Sequence, residues 1–226
     1  MAIHLASRRR IDMHIHTRWS FDCLNDPFDV VETAIARGLD RICITDHDEV
    51  DGALMLKERY PDRIIVGEEV KTAERVDVIG LFLRERVPGG TPARDTCDRI
   101  HDQGGLVYMP HPFARGKGGG GRVLLEIGRE VDIVEGFNAR LHEPVLNERA
   151  QMWARNEDKP LGAGSDAHTL REIGRAWVEV LPFADDARSF LDALDRAHIQ
   201  GTASPRRVHL ASTWAKLRKR WGGGTA

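Results

Sequence analysis

The chain has 226 residues, 41% hydrophobic and 30% charged, with a formal net charge of -2. That composition fits one soluble globular domain with a sizeable core, and near-neutrality excludes a global field that would draw nucleic acid or acidic lipid. Cys23, Cys43 and Cys97 form no C-x-x-C pair and no even-numbered disulfide framework, MAIHLASRRR carries no signal-peptide pattern, and no apolar run reaches membrane length, so a cytoplasmic, reducing location is the expectation.

In chain order, Ile11–His16 reads as a strand. Asp26 and Pro27 open a helix at N-cap and N1, with Val30, Val31, Ala34 and Ile35 as its apolar face and Gly38 as its stop. RICIT (Arg41–Thr45) is a β-branched strand, and Ala53–Tyr60 a short helix. RIIVG and DVIGLFL are the next strands, and a helix runs from Thr91-Pro92 to Gly104-Gly105. LVYMP is a strand, Val123–Glu130 a helix, DIVEGF a strand, Val145–Asp158 a helix, and LGAGS a strand leading into Asp166. AWVEV and a helix near Asp185–Ala197 complete the body. Alternating strands and helices predict parallel βα units, in a barrel or a doubly wound sheet.

The polar residues fall in a pattern. In a strand, side chains two apart share a face, which would put Asp12, His14 and His16 on one side and Ile11, Met13 and Ile15 on the other. Two adjacent imidazoles repel when both are protonated, whereas a shared metal keeps both neutral. On its own H-x-H is equally a pair of surface histidines on an edge strand. The same grammar recurs, however. Asp46, His47 and Asp48 follow RICIT, Glu68 and Glu69 end RIIVG, His111 ends LVYMP, and Asp166 and His168 end LGAGS. In a βα barrel such strand ends converge on one face, where active sites are built. Imidazole and carboxylate without thiolate suit Zn, Mn or Fe, and carboxylates can bridge two ions.

The ordered set DMHIHT, TDHD, GEEV, HPF and GSDAH, within about Ile11 to Val180, resembles the PHP (polymerase and histidinol phosphatase) family of metal-dependent phosphoesterases. The resemblance implies a distorted (β/α)7 TIM-like barrel holding two or three divalent ions. His14, His16, Glu69 and Asp166 would hold the first ion, with Glu69 bridging to a second that His111 also binds. His47 and His168 would hold a third with Asp22. Family phosphoesterases commonly have a histidine where this chain has Asp77, so Asp77 is the departing candidate ligand. Glu69 is taken over Glu68 because the family pattern is G-x-E.

The reading is therefore a phosphoric ester hydrolase acting on a small phosphorylated metabolite or nucleotide, by attack of a metal-bridging hydroxide. His47 and His168 are the alternative proton donors to the leaving group. A nuclease acting on single-stranded nucleic acid and a catalytically inactive metal-binding module are the competing readings. Asp12 is a candidate to orient a ligand histidine, with a plain strand-face carboxylate as the equal alternative. Arg140, in EGFNARLHE, and Arg115, in the glycine-rich loop ARGKGGGGR after His111, are candidate phosphate-binding residues. The organisation expected is a barrel over residues 1–204 and a basic amphipathic tail over 205–226. In that tail Leu210, Trp214, Leu217 and Trp221 share a helical face, expected to pack on the barrel or a second subunit, with nucleic acid or an acidic membrane surface as the alternative. Oligomeric state is left open.

Overall fold

The computed structural model describes residues 7–114 and 118–222. The elements are β1 (Arg9–Ile15), α1 (Pro27–Ala36), β2 (Arg41–Ile44), α2 (Asp51–Arg59), β3 (Ile64–Lys71), β4 (Asp77–Leu81), α3 (Ala93–Asp102), β5 (Leu106–Met109), α4 (Val123–Ile127), β6 (Ile133–Asn138), α5 (Pro144–Asn156) and β7 (Leu161–Gly164). Then come β8 (Ala176–Val180), α6 (Ala187–Leu194), β9 (His198–Gly201) and α7 (Val208–Gly222). Local chemistry sets the boundaries. The Asp26 carboxylate accepts from Phe28 N at 2.9 Å to cap α1, Pro27 opens it, and Gly38 turns the chain out at φ 73°.

The strands lie in the order β7-β6-β5-β4-β3-β2-β1-β8-β9. β1, β2 and β3 are parallel, as are β5, β6 and β7. The sheet curls until β7 returns to β1: Asp166 N donates to His14 O at 2.8 Å and His16 N to Ala167 O at 3.0 Å. Asp12 completes this seam, accepting from Ser165 N at 2.9 Å and Gly174 N at 2.8 Å. The result is a distorted, nearly closed TIM-like barrel.

Parallel βα units are not universal. β4 runs antiparallel to both neighbours, because the Thr72–Val76 connection after β3 is too short for a crossover helix. β8 pairs antiparallel with the start of β1, and β9 antiparallel with β8. Sequence patterning gave no sign of β9, since HIQG is exposed apart from a half-buried Ile199.

Period-2 alternation divides the core. Ile64 and Val66 of β3, Val107 and Met109 of β5, and Val134 of β6 face the helices. Ile65, Ile79, Leu106, Tyr108 and Ile133 face inward, with Ile11, Met13 and Cys43. Counting in twos from Ile65, Ile79 and Ile133 therefore puts Glu69, Asp77 and Glu135 on the inner side. Glu68 falls on the other face, where its Oε2 accepts from Val87 N at 2.8 Å.

β1 departs from the expected alternation. Its register with β2 shifts between Asp12 and Ile15, and Ile15 joins the helix-facing cluster while Ile11 and Met13 stay in the inner one. Asp12 thus faces the β7 seam rather than an imidazole.

The expected tail helix forms, but its apolar stripe does not pack on the barrel. Leu210, Trp214, Leu217 and Trp221 are 72%, 56%, 38% and 75% exposed, while Ser212 and Ala215 are buried. Among the described residues no helix is long and apolar enough to cross a membrane.

Candidate metal centre

The strand ends place His14 and His16 with their Nε2 atoms 3.1 Å apart. Each Nδ1 is committed elsewhere. His14 Nδ1 lies 3.0 Å from Glu135 Oε1, a carboxylate that only accepts. His16 Nδ1 lies 2.9 Å from Ser20 Oγ, whose own proton goes to Asp46 Oδ1 at 2.7 Å. Both rings therefore carry a proton on Nδ1, and in their neutral forms their Nε2 lone pairs face each other, so a positive charge belongs between them. Glu69 Oε2 sits 3.3 Å from His14 Nε2 and 3.4 Å from His16 Nε2, and Asp166 Oδ1 is 3.4 Å from His16 Nε2. Two imidazole acceptors and two carboxylates thus converge on one buried point.

That convergence leaves a choice between a proton and a metal cation. Burial alone would lower the His14 pKa, but Glu135, Glu69 and Asp166 hold it well above the usual histidine value. His16 is driven the opposite way, to about 3, by burial and by the neighbouring His168 and His47. Glu69 is held well below the usual carboxylate range, against its burial, by His47, His14 and His111. Asp166 is held down likewise by His14, His16 and Arg140. The donor set fits a divalent ion of the kind that neutral imidazole and carboxylate bind.

Candidate ligand atoms fall into three groups, each within 4.8 Å: His14, His16 and Asp166; His14, Glu69 and His111; and His16, His47 and His168. Glu69 links them, with Oε1 3.1 Å from His111 Nε2 and Oε2 3.1 Å from His47 Nδ1. Asp22 Oδ1 joins the third group, 3.2 Å from His168 Nε2 and 3.7 Å from His47 Nε2. His111 Nδ1 is buried with no hydrogen-bond partner among the described residues. Asp77 lies outside the three groups. Its carboxylate pairs with Lys71 at the end of β3, and burial together with the Glu69 charge raises its pKa. His111 and Asp166 both have left-handed backbones, φ 29° and 53°, a conformation that costs a non-glycine residue about 1–3 kcal/mol and concentrates at functional sites.

Outside the ligands, sequence reading missed the residues that hold them. Glu135 accepts from His111 N at 2.7 Å, Asn138 Nδ2 at 2.9 Å and Tyr108 OH at 3.2 Å, besides His14. Its signal was the lone charge within the mostly buried strand Ile133–Asn138. Ser20 accepts from His47 N at 3.0 Å as well as from His16. Asp46, which flanks His47, accepts from Ser20 Oγ and fastens the preceding loop, accepting from Thr17 N and Oγ1 at 2.6 Å each.

Arg140 is buried, and its Nε meets Glu172 as an ion pair without hydrogen-bond geometry. Its Nε lies 3.1 Å from Glu172 Oε1, one terminal nitrogen is 2.7 Å from His168 Nδ1, and the other donates to Ser212 Oγ at 2.9 Å. Ser212 belongs to α7, whose inner side reaches the centre. Lys216 Nζ is 3.4 Å from Asp22 Oδ2 and 5.0 Å from the Phe21 ring centre, and Lys219 donates to the carbonyls of Arg18 and Ser20. A cavity of about 690 Å³ opens over the cluster, and Lys71, Asp77, Phe21 and Lys216 are among the residues that line it. Arg115 lies outside the described residues.

Comparison with known proteins places the chain in a family. A model of the PHP domain matches residues 12–155, and a PHP-associated model matches residues 144–199. Two uncharacterized proteins of Methanocaldococcus jannaschii, MJ1587 and MJ0417, are each 31% identical, over 61% of this chain and 86% of the first and over 75% of this chain and 70% of the second. Three solved structures share the fold. PsfC from Pseudomonas syringae has TM-score 0.70 and 21% identity, covering 94% of this chain and 99% of its own. A two-domain protein from Bacteroides vulgatus, containing a predicted PHP-like metal-dependent phosphoesterase, has TM-score 0.67 and 18% identity over 95% of this chain and 72% of its own. The lesion-specific endonuclease Q of Pyrococcus furiosus has TM-score 0.59 and 15% identity over 85% and 57%. With the domain model spanning more than half of the sequence, from Asp12 through all but the last of the histidine- and carboxylate-bearing strand ends, the chain belongs to the PHP domain family.

Proposed function

We propose that the chain is a metal-dependent phosphoesterase. The observation that carries this reading is the facing pair of His14 and His16 Nε2 atoms, 3.1 Å apart and ringed by Glu69 and Asp166. His14, His16, Glu69 and Asp166 would hold one ion, Glu69 and His111 a second, and His47, His168 and Asp22 a third, of zinc, manganese or iron type. Asp77 would join the second only by releasing Lys71. Such ions, when bound, supply positive charge for phosphoryl oxygens and lower the pKa of a coordinated water.

The chain's own residues supply the rest. Glu135 and Ser20 fix the tautomers of His14 and His16. Lys216 and Lys71 bring ammonium groups to the cavity lining and bind non-reacting phosphate oxygens. His168, if not fully committed to an ion, protonates the leaving oxygen, and His47 is the alternative donor. Arg140, held by Glu172, His168 and Ser212, positions His168 more than it grips phosphate. We read residues 1–204 as the barrel domain and 205–226 as a basic amphipathic tail, whose helix α7 contributes Ser212, Thr213 and Lys216 to the cavity lining.

The test is a panel of phosphomonoesters, phosphodiesters and short oligonucleotides offered to metal-loaded protein. Metal-dependent release of phosphate or nucleotide, lost in folded His14→Ala and Asp166→Ala variants, is expected. Preference for single-stranded oligonucleotides would move the reading to a nuclease. Bound metal with no turnover would make the chain a non-catalytic module.

A further inference from the structure

From Arg196 to Ala226 the sequence holds seven Lys and Arg and no Asp or Glu, in a chain whose overall charge is -2. The structure divides this positive charge between two sides of α7. Lys216 and Lys219 turn inward to Asp22 and to the carbonyls of Arg18 and Ser20. Arg206, Arg207, Arg218 and Arg220 remain exposed. Between them, on the side opposite buried Ser212 and Ala215, runs the row of Leu210, Trp214, Leu217 and Trp221, 38–75% exposed. Polar and small residues thus face the barrel and large apolar ones face solvent, the reverse of a helix that merely covers a core.

We propose that α7 is an interfacial helix that docks this protein on an anionic membrane surface, with the Leu–Trp row entering the headgroup boundary and the four arginines meeting lipid phosphates. Spacings of four, three and four residues align the row along the helix, as in-plane insertion requires. Tryptophan suits that depth because its ring is apolar and its N–H finds a partner at the boundary. Arginine beside the row pairs with phosphate through a planar fork. A nucleic acid fits the arginines and the Trp214 and Trp221 rings but leaves Leu210 and Leu217 with no base to stack, so it accounts for only half of the row, whereas a lipid boundary accounts for all of it. A second copy of the chain fits the row, but these four side chains fall far short of the roughly 20–30 residues a side of a stable dimer. The inner side of α7 would remain on the barrel throughout, so docking needs no rearrangement of the centre.

The experiment uses the full chain with vesicles of phosphatidylcholine alone and of phosphatidylcholine mixed with phosphatidylglycerol, read by co-sedimentation and by tryptophan emission. Binding to the mixed vesicles only, a blue-shifted emission, and weakening with salt are expected. Trp214→Glu with Leu217→Glu should lose at least about tenfold in vesicle affinity while keeping wild-type metal content, because neither residue contacts the centre. Arg218→Gln with Arg220→Gln should weaken binding and flatten its salt dependence. No binding to mixed vesicles, or binding unchanged by the Trp214 and Leu217 substitutions, overturns the proposal. So does a wild-type dimer that those substitutions convert to monomer, or oligonucleotide binding that depends on the row without vesicle binding.

Discussion

Glu135→Gln is the most informative substitution outside the ligands. The wild-type carboxylate has two accepting oxygens for four buried donors: Oε1 takes His14 Nδ1 at 3.0 Å and Tyr108 OH at 3.2 Å, and Oε2 takes His111 N at 2.7 Å and Asn138 Nδ2 at 2.9 Å. A glutamine keeps the shape but offers one oxygen and one NH₂. Whichever way the amide turns, two donors lose their acceptor. If the oxygen stays on His111 N, His14 Nδ1–H meets another donor, and the ring must change tautomer and surrender its Nε2 lone pair. One buried unsatisfied donor costs about 1–3 kcal/mol; the Tyr108 hydroxyl can rotate away, so a net loss of about 1–3 kcal/mol is expected, with a fall in Tm of roughly 2–12 °C for a domain of this size. Metal affinity should fall about 10–100-fold, the usual effect of removing the partner that orients a ligand histidine. Metal titration by calorimetry, beside ¹⁵N chemical shifts of the His14 ring, measures both quantities. Wild-type metal affinity with an unchanged His14 tautomer would refute the claim that Glu135 orients His14, even if stability fell.

Three further outcomes follow from separate parts of the molecule. Gly164→Ala places a Cβ 2.2 Å from His14 Cβ and 3.0 Å from His14 N; it should destabilise the fold by about 1–3 kcal/mol and weaken metal binding, read by thermal unfolding and metal content, and a neutral result would mean the β1–β7 seam is looser than described. Lys216→Ala should raise KM for a phosphoester about tenfold with a smaller change in kcat, the low end of the range of about 1.5–3 kcal/mol for a charge-assisted contact because Lys216 is partly exposed, with partial rescue by Lys216→Arg; an equal kcat loss for both variants would point to disruption of Asp22 instead. His101 on α3 has its pKa raised by its 2.8 Å hydrogen bond to Asp132, so the charged form is favoured in the folded state. Its contribution is therefore fully present below the unfolded value of 6.5 and lost as pH rises through the higher folded value. Denaturant unfolding should show wild type more stable than His101→Gln at low pH and a narrowing gap at alkaline pH, whereas a gap independent of pH would contradict the ion pair.

Much of the centre was legible in sequence because its residues sit at strand ends, where short β-branched runs mark the strand and a polar cluster follows directly. His14, His16, His47, His111, Asp166 and His168 were found this way, as was the Glu68-Glu69 pair, while Asp22 and the choice of Glu69 over Glu68 came with the family resemblance. What could not be read is carried by long-range contacts. Glu135 lies 121 residues from the His14 ring it holds, and only the barrel brings them together. Asp12 looked like a strand-face partner of the histidines until the register shift turned it to Ser165 and Gly174. β4 carried a strand pattern but no sign of direction, since only the length of its connection to β3 makes it antiparallel. The stripe on α7 was visible as a periodicity. Its outward orientation was not, because periodicity shows that a helix has two unlike sides without showing which one meets the barrel. Lys216 and Lys219 settled that by finding Asp22 and the Arg18–Ser20 loop.

The central claim is that the His14–His16 lone-pair cluster binds divalent metal for phosphoester hydrolysis. It is tested most directly by stripping the protein with chelator, then titrating zinc, manganese or iron back while counting bound ions and released phosphate together. The account predicts two or three ions per chain, with hydrolysis absent before metal and rising as the sites fill, and with both readouts depressed in His14→Ala. Hydrolysis by the stripped protein, or filled sites with no hydrolysis of any phosphoester offered, would contradict it.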